Sequence, residues 1–230
     1  MNWKTDYRSI YYRGAPEPED PVLTAEDTAL LVIDVQNTYR VRPERDTLTV
    51  EEQAHYDSWT PFYDRFEQKL VPNTLDLLTC FRQARMDCFF ARIASQTRHG
   101  RERSLSHRKP GWNDLLLPQD DWESAVVPEL APQEDEIVVT KMTDSALTGS
   151  NLRLLLTNMA IRNVVCCGVF TDQCVSSTVR SLADESFNVI VVEDCCAAAS
   201  DELHHKELEI INMIYCNVMS SAELKGLMKL

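Results

Sequence analysis

Apolar residues along this chain fall into short continuous runs separated by segments of helical period. Residues 29–33 are apolar without a break and end in Asp34; residues 87–93, 136–140, 163–169 and 188–192 read as further strands rich in β-branched and aromatic side chains. Between them, residues 73–85 space Leu75, Leu78 and Phe81 on one helical face, and residues 151–158, 173–185 and 201–212 read as helices in the same way. Strands apolar on both faces, alternating with helices of this length, predict a parallel sheet covered on each side. The expected class is therefore α/β in three layers, and 230 residues suit one domain spanning 1–230. Pro16, Pro18 and Pro21 deny a regular element to the start of the chain, so residues 1–24 are expected to form an extended N-terminal arm.

Composition narrows the partners. The chain carries a formal charge of −13, which argues against a sustained grip on phosphate backbones and so against nucleic acid as a partner. Its apolar runs are far shorter than the roughly 20 residues that cross a bilayer, and no basic-then-apolar leader precedes them. No membrane partner and a cytoplasmic location are expected. Eight cysteines lie inside apolar runs or as neighbours, as with Cys166-Cys167 and Cys195-Cys196, which suits reduced thiols better than a disulfide framework. Neither a Cys-x-x-Cys pair nor a His-x-x-x-His spacing occurs, so no metal is expected.

Two stretches exceed a minimal α/β unit. Residues 40–69 are polar and aromatic (Tyr56, Trp59, Phe62, Tyr63, Phe66), and residues 95–112 hold five basic side chains, Arg98, Arg101, Arg103, Arg108 and Lys109. The second is either a lid that attracts an anionic or strongly polar substrate or a solvated surface loop.

Three polar positions stand at strand ends, where an open parallel sheet places its chemistry. Asp34 ends the first strand, Lys141 follows the strand at 136–140, and Cys174 opens the helix after the strand at 163–169. A cysteine at a helix N-terminus is expected to lose its proton more readily than a free thiol. A carboxylate to take the thiol proton and an ammonium to hold that carboxylate ionised would complete a set able to perform acyl transfer. Each residue also has an ordinary role: Asp34 as a cap, Lys141 as a solvated side chain, Cys174 as packing.

The strings Ala29-Leu-Leu-Val-Ile-Asp-Val-Gln-Asn37, Thr140-Lys141, Gly168-Val-Phe-Thr-Asp-Gln-Cys-Val175, Ser177-Thr178 and Val192-Glu-Asp-Cys-Cys-Ala197 resemble the isochorismatase-like cysteine hydrolases. That family includes nicotinamidases and the N-carbamoylsarcosine, ureidoacrylate and biuret amidohydrolases. The resemblance runs from about residue 24 to 222. It implies a Rossmann-like sheet of about six parallel strands with helices on both faces, a homodimer or homotetramer, and no cofactor. It implies Asp34 as general base, Lys141 as the triad lysine and Cys174 as nucleophile, with a cis Val169–Phe170 peptide aiming the Phe170 and Cys174 N–H groups at an oxyanion. Thr171 and Asp172 would hold the turn. Gln36, Phe170 and Tyr215 are the implied substrate contacts, Tyr215 standing near the position of a biuret hydrolase glutamine and Phe170 where the family often has a small residue. The Asp-x-His of zinc-binding nicotinamidases is missing, which argues against nicotinamide as substrate and against a metal. The activity implied is cleavage of a C–N bond in a small carboxamide or ureido substrate through a thioester. The alternatives are an ether or ester hydrolase using Asp34 as acid, and a binding protein of the same fold without catalysis.

Overall fold

The computed structural model describes residues 2–228; residues 1, 229 and 230, the ends of the span expected to form one domain, lie outside it. Among the described residues, eight strands occur in chain order: β1 (Thr28–Ile33), β2 (Asp87–Ile93), the two-residue strands β3 (Arg108–Lys109) and β4 (Asn113–Asp114), β5 (Ile137–Lys141), β6 (Asn163–Val169), β7 (Asn188–Ala197) and β8 (Asn217–Met219). Six of them form one sheet in the order β5-β2-β1-β6-β7-β8, all parallel, and β3 with β4 makes a separate small hairpin. The helices are α1 (Val50–Ser58), α2 (Thr60–Arg65), α3 (Val71–Gln83), α4 (Leu152–Asn158), α5 (Ser176–Asp184), α6 (Asp201–Ile211) and α7 (Ser221–Met228). Helices α3 and α7 touch one another, as do α5 and α6, and both pairs rest on β7, giving the expected three layers.

The sequence pattern explains this arrangement. Every residue of β1 and β6 is buried, as a central parallel strand between two helical layers requires. Fully burying side chains such as Leu30, Ile33, Phe89 and Phe90 stabilises the sheet by about 1.5–3 kcal/mol each. From β1 the chain moves toward one edge, through β2, and from β6 toward the other, through β7 and β8. The order therefore reverses between β1 and β6, and a ligand crevice is expected at their carboxyl ends.

Ahead of β1, Trp3 is buried and its N–H donates to Glu223 Oε1 at 2.9 Å, while Asn212 Nδ2 donates to the Asp6 and Tyr7 carbonyls at 3.1 Å each. All eight cysteines are free thiols, seven of them buried. Among the described residues no helix is long and apolar enough to cross a membrane.

Candidate active site

Asp34 directly follows β1, with φ at +53°, a left-handed conformation that ends the strand. Beside it, Gly168 on β6 has φ at +125°, and a Cβ there would fall 1.9 Å from the Ile33 carbonyl oxygen. Only glycine lets β6 pass this close to the end of β1, so the residue that opens the Gly168–Val175 string also sets the distance between Asp34 and the turn that carries Cys174.

Lys141 ends β5, and its whole side chain is buried. Its Nζ lies 2.8 Å from Asp34 Oδ2 and donates to Cys174 Sγ at 3.3 Å and to the Thr143 carbonyl at 3.0 Å. The ion pair with Asp34 is close, yet its alignment leaves both carboxylate oxygens without a well-directed donor among the described residues. Cys174 sits in a single π-helical turn, Thr171–Val175, that leads into α5. The structure thus brings all three expected side chains together at the switch point.

The proton balance differs from the sequence expectation. Burial, followed by the charge of Asp34, pushes the Cys174 thiol well above its ordinary range, and these outweigh the pull of Lys141. Burial also raises Asp34, although Lys141 pulls it back down. Burial opposes charge on Lys141, but Asp34 and Cys174 together hold its ammonium above the usual value. The resting cluster is therefore an ammonium–carboxylate pair beside a neutral thiol, in which the thiol proton has a base to go to.

The Val169–Phe170 peptide is cis. Thr171 is fixed by a hydrogen bond of 2.8 Å between its Oγ1 and His204 Nδ1. Arg65 donates to His204 Nε2 at 2.8 Å, which places the ring proton on Nδ1, and Arg65 also pairs with the buried Glu193 at 3.2 Å. Asp172 Oδ1 has no hydrogen-bond partner among the described residues, and burial raises its carboxyl. Burial, chiefly, lowers His204 from 6.5 to about 4. The unfolded chain therefore binds a proton that the native state refuses, and stability is lost as pH falls through the window from 6.5 to about 4. Urea unfolding across that window is expected to lose up to about 3 kcal/mol, and His204→Asn is expected to flatten the slope.

Residues 40–69, only noted as aromatic in the sequence, build α1 and α2, which wall a cavity of about 750 Å³. Tyr39, Trp59, Phe62 and Phe170 form its inner end, with the Phe170 ring 5.2 Å from Tyr39, 6.0 Å from Trp59 and 5.0 Å from Phe62 between centroids. Arg42 stacks over Tyr56 and Tyr63 on the same wall. The Phe170 carbonyl accepts from the Gln173 and Val175 N–H groups at 3.0 and 3.2 Å, so the residue that closes this cavity also begins the turn that carries Cys174. Phe170, expected as a substrate contact, lines this cavity.

Two other expected contacts are corrected. Gln36 is fully buried, its Nε2 donates to the Ile93 and Ser124 carbonyls at 2.9 Å each, and its Oε1 accepts from the Ile93 N–H. Its amide is spent on the backbone and serves as a strut between β1, β2 and the loop at 124. Tyr215 precedes β8 and lines a cleft with Asp27, Asn163 and Asn188, at the amino ends of the strands, under Arg180. It stands at the opposite end of the sheet from Cys174, because α6 carries the chain back from the end of β7 to the start of the parallel β8.

In the 95–112 loop, Arg98, Arg101, Arg108 and Lys109 are exposed and Arg103 is partly buried. Arg103 is tied to Asp114 and to the Gly100 and His107 carbonyls. The loop also carries the buried His107 inward, where its Nε2 lies 2.9 Å from Asp144 Oδ1. The same Asp144 oxygen lies 3.8 Å from Cys174 Sγ, and the His107 contact holds this carboxyl below its usual range. Neither residue stands out in the sequence, since they lie 37 positions apart and match no spacing rule. Among the described residues, no group of three or more His, Cys, Asp or Glu side chains is arranged to hold a metal ion.

Comparison with known proteins agrees with this fold. The family model described as the isochorismatase domain matches residues 28–223. The ureidoacrylate amidohydrolase RutB of Stutzerimonas stutzeri is 28% identical over 200 residues, covering 80% of this chain and 75% of that protein. An isochorismatase family protein from Burkholderia thailandensis superposes with a TM-score of 0.73 at 24% identity, over 92% of this chain and all of the other. The N-carbamoylsarcosine amidase from Thermoplasma acidophilum does so with a TM-score of 0.63 at 21% identity, over 85% and 96%. At such identities the two solved structures speak for the fold alone.

Proposed function

Because this chain belongs to the isochorismatase family, and because Lys141 Nζ touches both Asp34 and Cys174, we propose that it is a cysteine-dependent amidohydrolase. Its substrates are small carboxamides or ureido compounds. Asp34 takes the thiol proton as Cys174 Sγ adds to the carbonyl carbon, and Lys141 stabilises the charge that moves between them. The Phe170 and Cys174 N–H groups receive the oxyanion. The amine or ammonia leaves with the proton held by Asp34, and water then cleaves the thioester. An ether hydrolysis would need the acid alone; the sulfur in contact with Lys141 favours the thiol route. The name of one relative, a ureidoacrylate amidohydrolase, supports the bond type.

The aromatic cavity is the proposed seat of the substrate portion attached to the scissile group, so flat apolar substituents are expected to lower KM. An ammonia-release assay over carboxamides and ureido compounds, each with and without an aryl substituent, tests the reading. Release from at least one of these classes is expected. Hydrolysis of an enol ether with every amide left intact would replace the reading with the ether route.

A further inference from the structure

Two carboxylates face the one sulfur. Asp34 is fully buried beneath it and engaged by Lys141, whereas the Asp144 side chain is 38% exposed and presents Oδ1 to Sγ at 3.8 Å. The second placement is built into the fold. The loop after β5 is pinned to α5 by Ala146 N–H donating to Thr178 Oγ1 at 3.0 Å and by Ser145 Oγ bonding Ser181 Oγ at 2.9 Å. Thr178 Oγ1 in turn donates to the Cys174 carbonyl at 2.7 Å, so one hydroxyl ties the Asp144 loop to the nucleophile's own backbone. On the other flank, His107 is held by its N–H to the Ser104 carbonyl and by its own carbonyl, which accepts from Leu115 N–H and Arg103.

We infer that Asp144 is a second catalytic carboxylate, the base for the water that hydrolyses the Cys174 thioester, and that His107 is its positioning residue. This rests on the reading that Cys174 becomes acylated. Once the amine has left, Asp34 is ionised again but sealed below the acyl sulfur, while water reaches the thioester from the open side where Asp144 stands. In the step itself, an O–H bond of water breaks and its proton passes to Asp144 as the oxygen bonds to the carbonyl carbon. The C–S bond then breaks with its electron pair left on sulfur. Asp144 returns the proton to Sγ, across the contact seen at 3.8 Å, which restores the thiol and the carboxylate. Acylation and hydrolysis thus use different acids on opposite faces of one sulfur.

p-Nitrophenyl acetate tests this without the natural substrate. The parent is expected to acetylate Cys174 with a burst of nitrophenolate and then turn over. Asp144→Asn, nearly isosteric, is expected to keep the burst, slow the steady phase by about 10²-fold and accumulate acetyl-Cys174 by peptide mass spectrometry. Sodium formate is expected to restore the steady phase of Asp144→Ala. The titratable and charged groups facing Asp144 are His107, Lys141, Cys174 and Tyr39. Losing the His107 hydrogen bond removes the main influence lowering Asp144, so His107→Asn is expected to shift the acidic limb of the steady phase upward in pH and leave that of the burst in place. A steady phase in Asp144→Asn within about twofold of the parent, or burst and steady phase falling together, overturns the inference. If the parent itself shows no acetylation of Cys174, the nucleophile reading fails first and this inference with it.

Discussion

Cys174→Ser is expected to fold like the parent and to lose turnover by about 10³-fold or more, measured as kcat/KM on any amide the parent hydrolyses. The thiol in the parent is neutral, but its proton has a carboxylate to move to and a soft sulfur is left to attack. A serine hydroxyl is much harder to deprotonate, and Asp34 is too weak a base to activate it. The stability effect is small, because the hydroxyl enters a site already furnished with an ammonium and a carboxylate; a change of about 1 kcal/mol, or a few degrees in melting temperature, is expected. Cys167→Ser provides the contrast. Cys167 is fully buried within β6, so its replacement should lower stability without touching the chemistry. Near-parent turnover in Cys174→Ser would reduce Cys174 to a packing residue.

Lys141→Met is expected to have the second-largest effect, on both stability and pH dependence. Methionine fills the volume of the buried stem but leaves Asp34, itself fully buried, without its counter-charge. Breaking a buried pair costs about 3–5 kcal/mol, which in a domain of this size lowers the melting temperature by about 10 °C. Asp34 can reduce that cost only by taking up a proton. Burial already raises its pKa and Lys141 is the main group lowering it, so in the variant it rises further. The base is then protonated at neutral pH, and the acidic limb of kcat/KM is expected to move upward. In the parent, the raised ammonium of Lys141 contributes stability below its ordinary value of 10.5 and loses it only as pH climbs through the higher folded value. A Lys141→Met profile that overlays the parent would make Lys141 a structural residue alone.

How far the sequence reveals this molecule varies with the kind of signal. Residues 87–93 and 163–169 have the expected limits, since Asp87 and Asn163 mark where each run begins. Strand β7 runs to Ala197, beyond the expected 192, because Glu193 and Asp194 look like a stop in one dimension. In the fold Arg65 pairs with Glu193, while Asn73 and Ser221 bond Asp194, so both acids are accommodated. Strand β8 has three residues, too few to show a period, and α1 lacks a buried face, so neither was legible. Asp34, Lys141 and Cys174 stood out because strand ends are few and chemistry-bearing residues at them fewer. Gln36 also stood at a strand end, and no pattern shows that backbone carbonyls consume its amide. Asp144 and His107 left no local signal, since their meeting depends on a loop folding back over the end of β5.

The most direct test of the central claim is to trap the intermediate. The parent enzyme is mixed with the amide it hydrolyses fastest, quenched in acid during turnover, digested and mapped by mass spectrometry. The account predicts the acyl group of that substrate on the peptide carrying Cys174, bound as a hydroxylamine-labile thioester, and its absence from Asp34→Asn treated identically. Turnover that proceeds with no acyl group on Cys174 in quenched samples, or with the group on another side chain, would contradict it.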